Sequence, residues 1–161
     1  MDHSWADAAF GLARTRLRAG SRPAAVAALH AVPTTSSAYL AAQLAAVEAT
    51  LSGREAGRVD EGELRAAAER MERLSLDPIT RLRMRVAVLD AAVEQISGPP
   101  AGSSPNGAPG TAVVLGCPWQ ERPLRLGLEQ SLRDLARLTP DAAERVALVD
   151  RANGVRPRTL R

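Results

Sequence analysis

Residues 77–97 read DPITRLRMRVAVLDAAVEQIS. An aspartate followed by proline marks a helix start. The carboxylate can accept the unpaired amides of the first turn, and proline sacrifices no hydrogen bond there. Behind that start, Ile79, Leu82, Val86, Leu89, Val93 and Ile96 recur in steps of 3, 4, 3, 4 and 3. This is the period of a helix that buries one face, not the alternation of a strand.

The same period recurs in both directions. Towards the N-terminus, residues 5–18 carry Trp5, Ala9, Leu12 and Ala13 at helical spacing, and Gly20 supplies a stop. Ser21 opens a short helix with Val26, Leu29 and Val32, closed by Pro33. Ser36 or Ser37 opens a third, with Leu40, Leu44, Val47 and Leu51 on one face and Gly53 at its end. Residues 53–59 read as a polar loop. Asp60 and Glu63 then form a capping box ahead of Leu64, Ala67, Met71 and Leu74.

Towards the C-terminus, residues 97–110 hold four prolines and four glycines, the composition of a flexible linker. Residues 111–116 fit either a short extended piece or a turn of helix. Leu124, Leu128, Leu132, Leu135 and Leu138 stripe a helix over 123–138. Thr139-Pro140-Asp141 opens the last helix, with Val146 and Val149 as its buried residues and Gly154 and Pro157 as its end. The expected architecture is all-α: an α-solenoid of antiparallel helical hairpins, about seven helices, joined by tight turns. Its parts are hairpins over 1–96, a linker over 97–110, a C-terminal hairpin over 111–157 packed on the same solenoid, and a tail at 158–161.

Composition agrees and narrows function. Apolar residues make up 45% of 161, enough for a core, and only Trp5, Phe10, Tyr39 and Trp119 are aromatic. All 21 basic residues are arginine. The absence of lysine excludes a Walker lysine, a Schiff-base lysine and a kinase strand lysine. One cysteine, Cys117, excludes an internal disulfide and a CxxC zinc pair. The N-terminus lacks the basic-then-apolar order of a signal peptide, and no apolar run reaches the ~18 residues of a membrane span. A soluble cytoplasmic protein is the expectation.

A tetratricopeptide repeat is a helical hairpin of about 34 residues, with small residues where its two backbones approach. Leu12-Ala13, Gly20, Ala25 and Leu29 fit that pattern, and residues 53–62 lengthen the turn of the second hairpin. Register then assigns a concave partner surface. It takes Asp7, Phe10 and Arg14 from the first hairpin, and Gln43 and Val47 from the second, and Trp5, near the start of the first helix, is a further candidate for the partner surface.

The chain resembles the C-terminal part of actinobacterial protein kinase G. The matching stretches begin with Ala8 to Arg14, Val32 to Ser36 and Leu51 to Arg54. The more specific ones follow: Leu124-Arg125-Leu126-Gly127-Leu128-Glu129, Ser131 to Arg133, Leu135 to Arg137, Leu148 to Asn153 and Val155-Arg156-Pro157. The resemblance implies a tetratricopeptide tail that packs on and stabilises a kinase domain, or dimerises. In that family, paired CxxC motifs bind iron and a kinase domain follows. Neither set of residues has a matching position here. The resemblance further implies that the chain is the tail of such a kinase, as a separate or truncated gene, with earlier repeats lost before Met1. Trp5, Ala9 and Phe10 should then lie on a face left open.

Other chemistry finds little support. Cys117 has no histidine beside it in sequence and reads as a small packed residue. His3 and His30 cannot alone hold a metal. Three arginine clusters (Arg14, Arg16, Arg18, Arg22; Arg81, Arg83, Arg85; Arg151, Arg156, Arg158, Arg161) raise the alternative of an arginine-rich helical domain binding nucleic acid or another polyanion. The net charge of only +3, and i,i+4 partners such as Glu69–Arg73, Glu121–Arg125, Glu129–Arg133 and Asp141–Arg145, count against it. The expectation is a non-catalytic interaction module whose partner is itself or a kinase domain. It has no cofactor, no metal, no small-molecule substrate, no nucleic acid and no membrane insertion.

Overall fold

The computed structural model describes residues 3–52, 59–98 and 112–157. They form two packing units, Met1–Ser75 and Leu76–Arg161. The first holds α1 (His3–Arg18), α2 (Arg22–His30), α3 (Tyr39–Ser52) and α4 (Glu61–Glu72). The second holds α5 (Pro78–Ser97), a small hairpin of β1 (Val113–Val114) and β2 (Cys117–Pro118), α6 (Glu121–Leu138) and α7 (Ala142–Val155). The all-α expectation therefore stands, with seven helices among the described residues.

The helix ends follow the local chemistry. Gly20 has φ +73°, and the Gly20 and Ser21 amides donate to the Leu17 and Arg16 carbonyls, 2.9 and 2.8 Å. These two bonds satisfy the last carbonyls of α1 and turn the chain into α2. At α4, Asp60 accepts from the Glu63 amide at 2.8 Å while the Glu63 carboxylate accepts from the Asp60 amide at 3.0 Å. Val59, which the sequence places in a polar loop, is buried just before that cap. Val59 and buried Leu64 occupy the two positions of a hydrophobic staple. Asp77 caps α5 by accepting from the Thr80 amide at 3.0 Å, and Asp141 caps α7 through the Glu144 amide at 2.7 Å.

In the first unit, α2 packs on α1, α3 on α2 and α4 on α3. The shared core is built from small residues: Ala9, Ala13, Ala25, Ala42, Ala46 and Ala49 surround Leu29 and Val32. This corrects the sequence reading in two places. Leu12 is 46% exposed and Leu40 41% exposed, whereas the alanines beside them are buried. Two helix backbones that approach closely leave room for a methyl group at the seam but not for an isobutyl group. Ala46→Leu should therefore overpack the α2–α3 seam and cost about 1–3 kcal/mol, read as a lower urea midpoint with an unchanged slope.

In the second unit, α6 lies between α5 and α7. Val86, Leu89 and Val93 of the α5 stripe are buried, while Ile79, Leu82 and Ile96 are half-buried. Leu124, Leu128, Leu132 and Leu135 of α6 are buried as expected. Leu138 and Val146 are not: they are 45% and 60% exposed, and in α7 only Ala152 is fully buried. Because α5 packs with α6, the division between units falls between α4 and α5, not at the Pro/Gly-rich stretch. Of that stretch, residues 99–110 lie outside the described residues, as do Gly53 and the tail at 158–161.

The open reading of residues 111–116 becomes, over its described part, a β-hairpin that continues to Pro118, with Val113 opposite Pro118 and Val114 opposite Cys117; Thr111 lies outside the described residues. Its two turn residues, Leu115 and Gly116, have φ of 49° and 76°, the double positive φ that matches strand twist in a two-residue hairpin. Cys117 brings its sulfur against Gly127 of α6, where an added Cβ would collide with Sγ. Alanine for glycine inside a helix normally stabilises by about 1 kcal/mol. Here Gly127→Ala should destabilise instead, by about 1–3 kcal/mol. Adding Cys117→Ala should recover part of that loss, measurable as a non-additive cycle in denaturant unfolding.

Candidate partner surface

The chemistry of the interior is structural. Arg22, buried at the first position of α2, donates from Nε and Nη2 to the two carboxylate oxygens of Glu63 at 3.2 and 3.0 Å. One carboxylate thus closes the α4 capping box and ties the start of α4 to the start of α2. The two residues are 41 apart in sequence, and no local spacing signals the pair. In the second unit, Arg85 donates to the Leu115 carbonyl at 2.8 Å and to Ser131 Oγ at 3.1 Å, which fastens the hairpin turn to α5 and α6. Burial pushes the Cys117 thiol above its ordinary value, and the nearby Arg85 charge only partly offsets this. A thiol in that setting is a packed group and a poor nucleophile.

The other arginines of the second unit also mostly serve packing. Arg83 pairs with Glu144 at 3.1 Å and Arg151 with Asp90 at 2.8 Å, each joining α5 to α7. Arg133 pairs with Glu129 at 3.1 Å and also donates to Asn153 Oδ1 at 2.9 Å, joining α6 to α7. The i,i+4 pairs Glu69–Arg73 and Glu121–Arg125 form as the spacing predicts. Asp141 serves as the cap of α7.

His30 is exposed at the end of α2. Desolvation of part of its ring, then the Arg70 charge, hold its pKa below the ordinary value. No group of three metal-ligating side chains occurs among the described residues, and no helix of those residues is long and apolar enough to cross a membrane.

The six residues assigned to the partner surface divide. Trp5, Asp7 and Arg14 are exposed on α1, and Trp5 is 54% exposed. Phe10 is partly buried and packs on the alanine core. Gln43 and Val47 are buried, because α3 has α2 on one side and α4 on another, so they belong to the interior and not to an open groove. Ala9, expected on an open face, is likewise buried. Leu12, Arg16 and Arg18 are exposed on α1 as well. Trp5, Leu12 and Arg16, separated by seven and four residues, line one edge of the helix. Asp7, Arg14 and Arg18 line the other at the same spacing.

A stack of helical hairpins with small residues at the seams and an outward-facing first helix defines a helical-repeat scaffold. The chain belongs to the protein kinase G tetratricopeptide repeat family, whose model matches residues 1–159. It is 40% identical over 156 residues to the serine/threonine-protein kinase PknG of Mycolicibacterium smegmatis, covering 97% of this chain and 20% of that protein. It is 39% identical over 150 residues to the PknG of Mycobacterium leprae, covering 93% of this chain and 19% of that protein. The chain thus spans about a fifth of the length of the curated relatives it matches.

Proposed function

We propose that this chain is a non-catalytic protein-binding module that serves a serine/threonine protein kinase, either by docking on the kinase domain or by pairing with a second copy. The observation that supports the reading is coverage. The whole chain corresponds to the repeat region of kinases that are about five times its length. The absence of lysine in all 161 residues agrees, since kinases hold the ATP phosphates with a strand lysine. On this reading the chain acts in the cytoplasm, needs no cofactor or small-molecule substrate and does not take nucleic acid as its ligand.

Sedimentation at high micromolar concentration tests the reading, with the chain alone and mixed with the part of the M. smegmatis PknG that it does not cover. A dimer or a mixed complex is expected, with no phosphate transferred by the chain alone. A strictly monomeric species in both samples, or phosphotransfer by the isolated chain, would overturn it.

A further inference from the structure

We infer that Arg70, His30 and Tyr39, at one end of the first packing unit, form an oxyanion site that takes a phosphoryl group, free or carried on a threonine. This goes beyond the binding-module reading and does not depend on it. Among the described residues five arginines are buried or half-buried: Arg22, Arg70, Arg85, Arg125 and Arg133. Four of them donate to partners: Arg22 to Glu63, Arg85 to the Leu115 carbonyl and Ser131, Arg125 to Glu121, and Arg133 to Glu129 and Asn153. Arg70 makes no side-chain hydrogen bond or ion pair among the described residues. Exposed arginines such as Arg81, Arg122 and Arg145 pose no such problem, because water answers their donors. A guanidinium drawn partly out of water with every N–H unused is costly, and an anion would relieve that cost.

The fold places two more donors beside it. Arg22 and Glu63 tie the starts of α2 and α4 together at 3.0 Å, and α3 packs on both helices. His30 lies eight residues beyond Arg22 and Arg70 seven beyond Glu63, roughly 12 and 10 Å along two helices that run the same way. Tyr39 opens α3 at that same end. Burial first, then the Arg73 charge, disfavours the cation at Arg70, while Tyr39 favours it; no carboxylate among the described residues contributes. Arg73 is itself paired with Glu69. The Arg70 charge also reaches His30, whose ring is partly desolvated. Arg70 and His30 sit in the last turns of their helices, where the carbonyl ends favour a cation. That attraction leaves the donors free, because helical side chains lean back towards the N-terminus and away from those carbonyls.

A phosphoryl group answers all three side chains at once. It is tetrahedral with three acceptor oxygens, so the guanidinium fork can take two while imidazole and phenol donate to the third. A carboxylate has two oxygens in one plane, and the fork alone would use both.

The test is an NMR titration of the full chain at pH 7, following the His30 imidazole and the Arg70 Nε–H. The probes are inorganic phosphate, acetate at matched ionic strength, and a phosphothreonine peptide with its threonine counterpart. Phosphate should move both signals and saturate, with acetate about tenfold weaker. Arg70→Gln should weaken phosphate binding about tenfold, and His30→Gln about threefold. Arg70 has no partner to lose, so Arg70→Gln should melt with the wild-type chain in phosphate-free buffer. A phosphothreonine peptide that binds more tightly than inorganic phosphate, with the threonine peptide inert, assigns the group to another protein. Binding no tighter than that of inorganic phosphate assigns the site to the free anion. No saturable shift, an equal response to acetate, or an equal shift of His3, the other histidine, overturns the inference. So does unchanged phosphate affinity in Arg70→Gln, or in His30→Gln should the arginine variant fail to fold.

Discussion

Leu89→Asp is expected to unfold the second packing unit. Leu89 is fully buried at the middle of α5, facing the leucine stripe of α6. The substitution removes an apolar side chain whose deletion alone costs about 2–5 kcal/mol. It also places a carboxyl group where no partner waits, at a further cost of several kcal/mol. A domain's net stability is only about 5–15 kcal/mol, so the combined loss is comparable to the whole. Half-buried Trp119, in the same unit, reports the event. In a Trp5→Phe background its emission should sit at the position of the fully denatured chain without denaturant. Leu40→Asp is the matched control, because Leu40 is exposed on α3 and should change stability by no more than about 0.5 kcal/mol. Native Trp119 emission in the Leu89→Asp chain would mean that the α5 stripe is not the core.

The second large effect is expected at Arg22. A cation at the start of a helix meets the positive end of the helix dipole, and Arg22 is buried as well. Both penalties are tolerated because Glu63 answers with both oxygens. Arg22→Met keeps the apolar stem and removes the guanidinium. Glu63 is then left with its capping bond to the Asp60 amide. Its side chain is 26% exposed and regains some water, so the loss should be about 2 kcal/mol, below the ~3–5 kcal/mol of a fully buried pair. In a unit of this size that lowers Tm by about 10 °C. Arg22→Lys should not restore it, because an ammonium cannot bond both oxygens in parallel. A cycle with Glu63→Gln should show coupling above about 1 kcal/mol. Independent, additive effects would show that the pair carries no energy.

Both predictions bear on what the sequence discloses. Helix starts and stops were legible because their chemistry is local. Asp60 with Glu63, Asp77 with Pro78, Asp141 and Gly20 each act within about one turn, and each appears where its residue type predicts. Which apolar face is buried was legible in and just after α4, where Leu64, Ala67, Met71 and Leu74 are all buried, and along most of the stripes of α5 and α6.

In α1 and α3, hydrophobicity ranks Leu12 and Leu40 above Ala13 and Ala42, yet the alanines occupy the seam. The reason is interhelical distance, which is set by the neighbouring helix and is not encoded in the residue's own transfer energy. Val146 was misplaced as well: α7 packs on α6 but fully buries only Ala152, half-buries Leu148, Val149 and Val155, and leaves Val146 facing outward. Gln43 and Val47 were misplaced because α3 is covered on two sides. The Arg22–Glu63 pair was invisible at a separation of 41 residues. The Leu115–Gly116 turn was invisible because leucine at positive φ is no turn signal.

The chain is proposed to bind another protein in the service of a kinase. Amide hydrogen exchange tests this most directly, comparing the free chain with the chain mixed with an excess of the part of the M. smegmatis PknG that it does not cover. Exchange should slow over at least one helix of the chain in the mixture. Exchange identical to the free chain along its whole length, with no self-association of the chain alone, would contradict the proposal.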